Sequence, residues 1–249
     1  MGFPSGIGTV KLTYADVDRD DTALGELTLR RYTAETGEVG YEIRLGGNFL
    51  MATHGAHSER AMAEMALERL RGPATELQVL VGGLGAGHTL RAALDLPGVA
   101  GVVVAEIGAR MVEWNRRYFA DVNGGGVDDP RVDVRVADLH DLLRSSPRAF
   151  DLLLLDVDNG PGWLAAEGNA ALYEEDGVRD CLAALRPGGV MAVWSPGPNE
   201  RFRATLARVF DELEAVDTTA IGRKLGEPGD VIYLAPSPDR RRDGVCCPP

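Results

Sequence analysis

The segment that most constrains this chain is Leu77-Gln-Val-Leu-Val81 running into Gly82-Gly-Leu-Gly-Ala-Gly-His88. A short apolar run that ends in clustered glycines and then becomes helical reads as strand, tight turn and helix. Glycine accepts positive φ there and lets a ligand approach the main chain at the helix N-terminus. A strand of continuous apolar residues is covered on both faces, so it needs parallel neighbours and helices on either side. The chain supplies them: Val102–Ala105, a helix from about Ala109 to Phe119, Val132–Val136, a short helix around Leu139–Arg144, Leu152–Leu155, a helix ending near Leu185, and Val190–Trp194. A last helix, about Asn199–Leu213, leads to an antiparallel edge strand, Val231–Ala235. The expected class is α/β with a doubly wound sheet.

Upstream, Glu26–Tyr32 and Val39–Leu45 alternate in character, with Gly37 between them, and Gly46-Gly47 leads into Asn48–Met51. This predicts a small antiparallel β unit. Ser58 is the expected N-cap of a linking helix with Glu59 in its first turn. Ala61, Met62, Met65, Ala66 and Leu70 recur at helical spacing until Gly72-Pro73. The domain plan is a flexible lead-in over 1–23, a small β domain over 24–57, a nucleoside-binding domain over 58–236 and a disordered tail over 237–249.

A net charge of −12 argues against nucleic acid or an anionic membrane surface as partner and favours a cationic or neutral small molecule. No apolar run reaches the roughly 18 residues of a membrane helix, and Met1–Gly8 lacks the basic and apolar regions of a signal peptide, so a cytoplasmic location is expected. Three cysteines, two of them the adjacent Cys246-Cys247, make no disulfide framework. Four scattered histidines without a Cys cluster suggest no metal. Pairing of the small β unit across a two-fold axis would give a homodimer.

In open parallel sheets ligands bind beyond the carboxyl ends of the strands. Three features fall there. Gly82, Gly83, Gly85 and Gly87 form the loop. Glu106, about twenty residues on, is placed to accept both hydroxyl protons of a ribose. Asp138 closes the third strand, where it suits an adenine amino group. Together they describe a nucleoside carrying an S-adenosylmethionine-type sulfonium. The plainer alternative makes Glu106 and Asp138 helix caps. A dinucleotide fits less well, since His88 stands where the third glycine of G-x-G-x-x-G falls. The fourth strand ends in Leu155-Asp-Val-Asp-Asn-Gly-Pro-Gly162, which puts Asp156, Asp158 and Asn159 beside the transferred group; the alternative is a solvated Asx turn. Asp156 and Asp158 are the candidate catalytic groups, able to favour the cation and to orient or deprotonate an attacking amine or hydroxyl. His54 and His57 face the acceptor side or an ordinary loop, and Trp163 and Tyr173 wall the pocket or pack in the core. His88 falls in a first helical turn and is given no chemical duty.

Gly82–Gly87, Glu106, Asp129-Pro-Arg-Val132, Ala137-Asp138, Asp151–Asp156 and Leu185–Val190 resemble the spermidine synthase (aminopropyltransferase) family, over roughly residues 24–236. The resemblance implies a small N-terminal β domain on a Rossmann-like domain of the class I S-adenosylmethionine-dependent methyltransferase type, with Glu106 on ribose, Asp138 on adenine and Asp156 as base. Three departures stand out. The family's G-G-G-D-G-G loop, whose Asp holds the propyl ammonium of decarboxylated S-adenosylmethionine, has Gly85 at that position. Its D-S-S-D becomes Asp156-Val-Asp-Asn159, and its Tyr-His-Glu becomes Met62-Ala63-Glu64, so only Glu64 survives on the acceptor side. Loss of the loop carboxylate leads to a first expectation of a small-molecule methyltransferase using S-adenosylmethionine on an amine or hydroxyl. The alternatives are aminopropyl transfer from decarboxylated S-adenosylmethionine to a polyamine, and a non-catalytic nucleoside-binding protein.

Overall fold

A computed structural model describes residues 11–22, 24–54, 57–157, 160, 167–220 and 230–239. The first sheet is antiparallel, with four strands in sequence order: β1 (Leu12–Thr22), β2 (Gly25–Ala34), β3 (Val39–Leu45) and β4 (Asn48–Ala52). Leu45 pairs with Asn48 across Gly46 and Gly47, both at positive φ (56° and 77°), as a two-residue hairpin turn requires.

The flexible lead-in expected over 1–23 is corrected from Leu12 onward, where β1 pairs with β2 along its whole length. This edge strand has almost no buried face, so it lacks the apolar alternation by which strands are read. Its ladder is reinforced by ion pairs, Arg19 to Glu26 at 3.0 Å and Arg30 to Asp16 at 3.3 Å. Residues 1–10 of the expected lead-in lie outside the described residues.

Helix α1 (His57–Arg69) carries the chain to the second sheet and buries Ala61, Met62, Ala63 and Ala66. There follow β5 (Leu77–Gly82), α2 (His88–Asp95), β6 (Val99–Glu106), α3 (Ala109–Arg117), α4 (Ala120–Asn123), β7 (Val132–Val136), α5 (Leu139–Ser145) and β8 (Phe150–Leu155). The chain continues through α6 (Glu175–Ala184), β9 (Leu185–Ser195), α7 (Glu200–Val209), β10 (Glu214–Asp217) and β11 (Val231–Pro236). The strand order is β10-β11-β9-β8-β5-β6-β7, with β9, β8, β5, β6 and β7 parallel and the β11 pairings antiparallel. The chain winds outward from β5 through β6 to β7 and then returns to β8 on the other side of β5. That reversal is the switch point at which open α/β sheets bind ligands.

Alternate residues of β5 serve opposite faces. Leu77, Val79 and Val81 join a core shared with α1, α2, α3 and the small sheet, whereas Leu80 joins the core under α5, α6 and α7. Asp151 ties the strand bases, accepting from the Gln78 amide and the Arg186 guanidinium, each at 2.8 Å. The expected disordered tail is corrected at its first residue: the Ser237 amide donates to the Gly189 carbonyl and its hydroxyl to that of Arg186, both at 2.8 Å. Residues 240–249 lie outside the described residues. Among the described residues no helix is long and apolar enough to cross a membrane.

Candidate active site

The glycines are fixed by space as much as by φ. A Cβ on Gly82 would lie 2.9 Å from the Leu139 and Leu155 side chains, and one on Gly83 (φ +84°) 2.5 Å from the Asp156 carbonyl oxygen. The Gly83 amide donates to the Ala105 carbonyl at 2.9 Å and the Asp156 amide to that of Gly82 at 3.0 Å, so three strand ends are bound into one rim. A Cβ on Gly87 would fall 2.6 Å from Asn123 Cβ. That asparagine belongs to a buried network absent from the sequence reading. Asn115 Nδ2 donates to the Gly85 carbonyl at 2.7 Å, Asn123 Nδ2 donates to Asn115 Oδ1 at 3.0 Å, and the Gly126 amide donates to Asn123 Oδ1 at 3.1 Å. Gly85 has φ +48°, and its Cβ direction is filled by Met51 Sδ at 3.2 Å.

Glu106 closes β6 with both oxygens engaged: Oε2 accepts from the Leu84 amide at 3.0 Å and Oε1 from the Gly108 amide at 2.7 Å. Burial pushes its carboxyl up, and these amides pull it back toward the ionised form. A carboxylate has about four acceptor positions, so a ribose diol can still be received. Asp138 is exposed and caps α5, its Oδ1 accepting from the His140 amide at 2.7 Å. The plainer cap reading therefore holds for one of its oxygens.

Asp156 stands at the end of β8, across the switch point from the glycine loop. Its Oδ2 accepts from the Thr89 hydroxyl at 2.8 Å. Burial, then the charge of Glu59, pushes its carboxyl up to about 7. Glu59 lies in the first turn of α1, receives the Ser58 hydroxyl at 2.9 Å, and is itself pushed up, chiefly by burial, with Asp230 acting in the same direction. Two partly buried carboxylates from segments far apart in sequence thus act on one site, with the Thr89 hydroxyl and the charge of His88 pulling Asp156 the other way.

The expected acceptor residues are distributed differently. Glu64 is exposed and lines an outer groove with Arg60, Leu67, Glu68, Ala92 and Asp95. Five residues along a helix turn a side chain by about 140°, so Glu59 and Glu64 cannot both face Asp156, and Glu59 does. Helical phase was the signal that could have told them apart. His57 is the exposed first residue of α1. His54 is exposed, bonded through Nδ1 to the Tyr32 hydroxyl at 3.2 Å, and close enough for its charge to act on His88. Tyr173 is buried edge-on against Phe202, and its hydroxyl donates to the Val157 carbonyl at 2.9 Å, so it props the loop after β8 from within the core. Asp158, Asn159 and Trp163 lie outside the described residues.

A family profile described as "Spermine/spermidine synthase domain" matches residues 57–204. The polyamine aminopropyltransferase of a Synechococcus species is 28% identical over 83% of this chain and 70% of its own length. Polyamine aminopropyltransferase 2 of Pseudomonas aeruginosa is 30% identical over 57% of this chain and 42% of its own. Among solved structures, spermidine synthase in complex with the transition state analogue AdoDATO superposes with a TM-score of 0.73 at 18% identity, covering 92% of this chain and 75% of that one. The spermidine synthase from Thermotoga maritima gives 0.71 at 19%, over the same shares. These findings overturn the expectation of a methyltransferase, which rested on a single missing carboxylate at Gly85: the family match and the curated relatives point to aminopropyl transfer. With its strand order, its glycine rim and a family match over more than half of its length, the chain belongs to the spermine/spermidine synthase family.

Proposed function

We propose that this protein transfers the aminopropyl group of decarboxylated S-adenosylmethionine to the nitrogen of a small amine of the polyamine class. The observation that carries the reading is the partly buried carboxylate of Asp156 at the switch point, bonded to Thr89 beside the glycine rim and raised to about 7 by desolvation and Glu59. The rim fits the donor: its glycines turn the chain tightly at the end of β5, and Glu106 stands beside it with acceptor positions to spare for the ribose. Asp138 has its second oxygen for the adenine amino group.

An amine reaches the site as an ammonium and must lose a proton before it has a lone pair. Asp156 takes that proton. The nitrogen then attacks the propyl carbon bonded to sulfur; the C–N bond forms as the C–S bond breaks, its electron pair returns to sulfur, and methylthioadenosine leaves. Two partly buried carboxylates favour the approaching cation, and holding nitrogen, carbon and sulfur in line supplies much of the rate.

The test is incubation with decarboxylated S-adenosylmethionine and a panel of putrescine, cadaverine and spermidine, followed by mass spectrometry. Methylthioadenosine and an aminopropylated amine are expected. Asp156→Asn should lower kcat by about 10²- to 10⁴-fold while leaving methylthioadenosine affinity within about threefold. Absence of both products across the panel would overturn the reading.

A further inference from the structure

Thr89 is the second residue of α2 and is 2% exposed. Packing alone gives so buried a side chain no need of a hydroxyl, since a hydrocarbon of the same shape would fill the space without a polar atom to satisfy. A helical threonine hydroxyl ordinarily turns back to a main-chain carbonyl three or four residues earlier. Here it crosses to another element, and Oγ1 donates to Asp156 Oδ2 at 2.8 Å.

The main chain around Asp156 is already fixed. Its amide donates to the Gly82 carbonyl at 3.0 Å, and the next carbonyl, that of Val157, accepts from the buried Tyr173 hydroxyl at 2.9 Å. What remains is the carboxylate's own rotation, a soft torsion without sharply defined wells. The Thr89 bond removes that freedom. Among the described residues no other side chain or amide donates to this carboxylate, so Oδ1 is left without a donor on a residue that is partly exposed.

Resting on the proposed transfer, we infer that Thr89 is a positioning residue for it: the hydroxyl pins Oδ2 of Asp156 and leaves Oδ1 as the oxygen that takes the amine proton. The N–H bond breaks, the O–H bond forms at Oδ1, and the nitrogen keeps the electron pair with which it attacks the propyl carbon. A carboxylate free to rotate would spread its oxygens over many directions, and fewer encounters would align. Burial, Glu59 on α1 and Asp230 ahead of β11 favour the protonated form of Asp156; the Thr89 bond and the charge of His88 on α2 favour the ionised one.

Two substitutions in the full-length protein separate this from a packing role. Thr89→Val keeps the shape and loses the donor, whereas Thr89→Ser keeps the donor and loses a methyl group. In Thr89→Val the rise of kcat/KM with pH should move up by about 1 pH unit. At about pH 9.5, where the carboxyl is ionised in both proteins, its kcat should stay about 10-fold below wild type, with methylthioadenosine affinity within about threefold. Thr89→Ser should restore the profile and bring kcat to within about threefold of wild type. Independently of turnover, the ¹³C resonance of the Asp156 carboxyl, followed against pH in the free protein, should titrate about 1 pH unit higher in Thr89→Val than in wild type or Thr89→Ser. The inference is overturned if Thr89→Val keeps the wild-type kcat at high pH, if Ser is as damaging as Val, or if the resonance titrates alike in all three proteins. Should the wild-type protein form no methylthioadenosine, the transfer reading fails by itself, and the resonance still decides whether Thr89 governs Asp156.

Discussion

Asp156 carries opposite consequences for activity and for stability. As a base it must be ionised, so kcat/KM is expected to rise as pH increases through about 7, with Asp156→Asn flattening that limb of the profile. For folding, the folded-state pKa lies above the unfolded value, so the native protein binds more protons than the unfolded chain between about 4 and 7. Stability is therefore lost as pH rises across that window. Asp156→Asn should stabilise the protein at pH 8 by about 2 kcal/mol, roughly 5 °C in Tm, and by much less at pH 4, as measured by thermal unfolding at the two pH values. At this scale the sequence was legible where chemistry and backbone coincide: the glycines and Glu106 sit on one rim, and Asp156 faces them. It was illegible where only helical phase decides, as between Glu59 and Glu64. It was illegible again where a partner comes from a distant segment, as with Thr89 on Asp156 or Met51 beside Gly85.

Among the elements, the glycine loop owes its shape to α3 and α4 behind it. Asn115 is fully buried, donates to the Gly85 and Met111 carbonyls, and accepts from Asn123. Asn115→Ala strands these partners at a cost of about 1–3 kcal/mol. It should weaken methylthioadenosine binding about tenfold by calorimetry, while leaving the protein folded by circular dichroism. The central parallel strands were legible because their apolar runs are continuous, and β7, whose residues alternate, matches its expected limits, Val132–Val136. β1 and β10 escaped for the opposite reason: each is an edge or near-edge strand of mostly exposed residues, held by backbone pairing. A buried asparagine pair leaves no periodic trace either, since its meaning lies in the carbonyls it reaches.

On the scale of the whole molecule, α3 ties the small sheet to the large one through polar contacts to β1. Trp114 is 1% exposed, and its indole N–H donates to Asp18 of β1 at 2.9 Å. Asp18→Ala leaves that donor buried and unpaired and should cost about 1–3 kcal/mol in urea unfolding, whereas Asp18→Asn, which keeps an oxygen acceptor, should stay within about 1 kcal/mol of wild type. The shared core, in which Leu29 and Ile43 of the small sheet pack with Met62 and Trp114, makes the two sheets one cooperative body. The pairing of Glu59 with Asp156 then has a consequence in time. The two acids meet only where α1 is docked and β8 lies beside β5, so the repulsion between them is absent until those elements come together. The nascent chain can complete every earlier pairing without confronting it, and the electrostatic tension that suits the site to a cation arises only once a pocket exists to receive one.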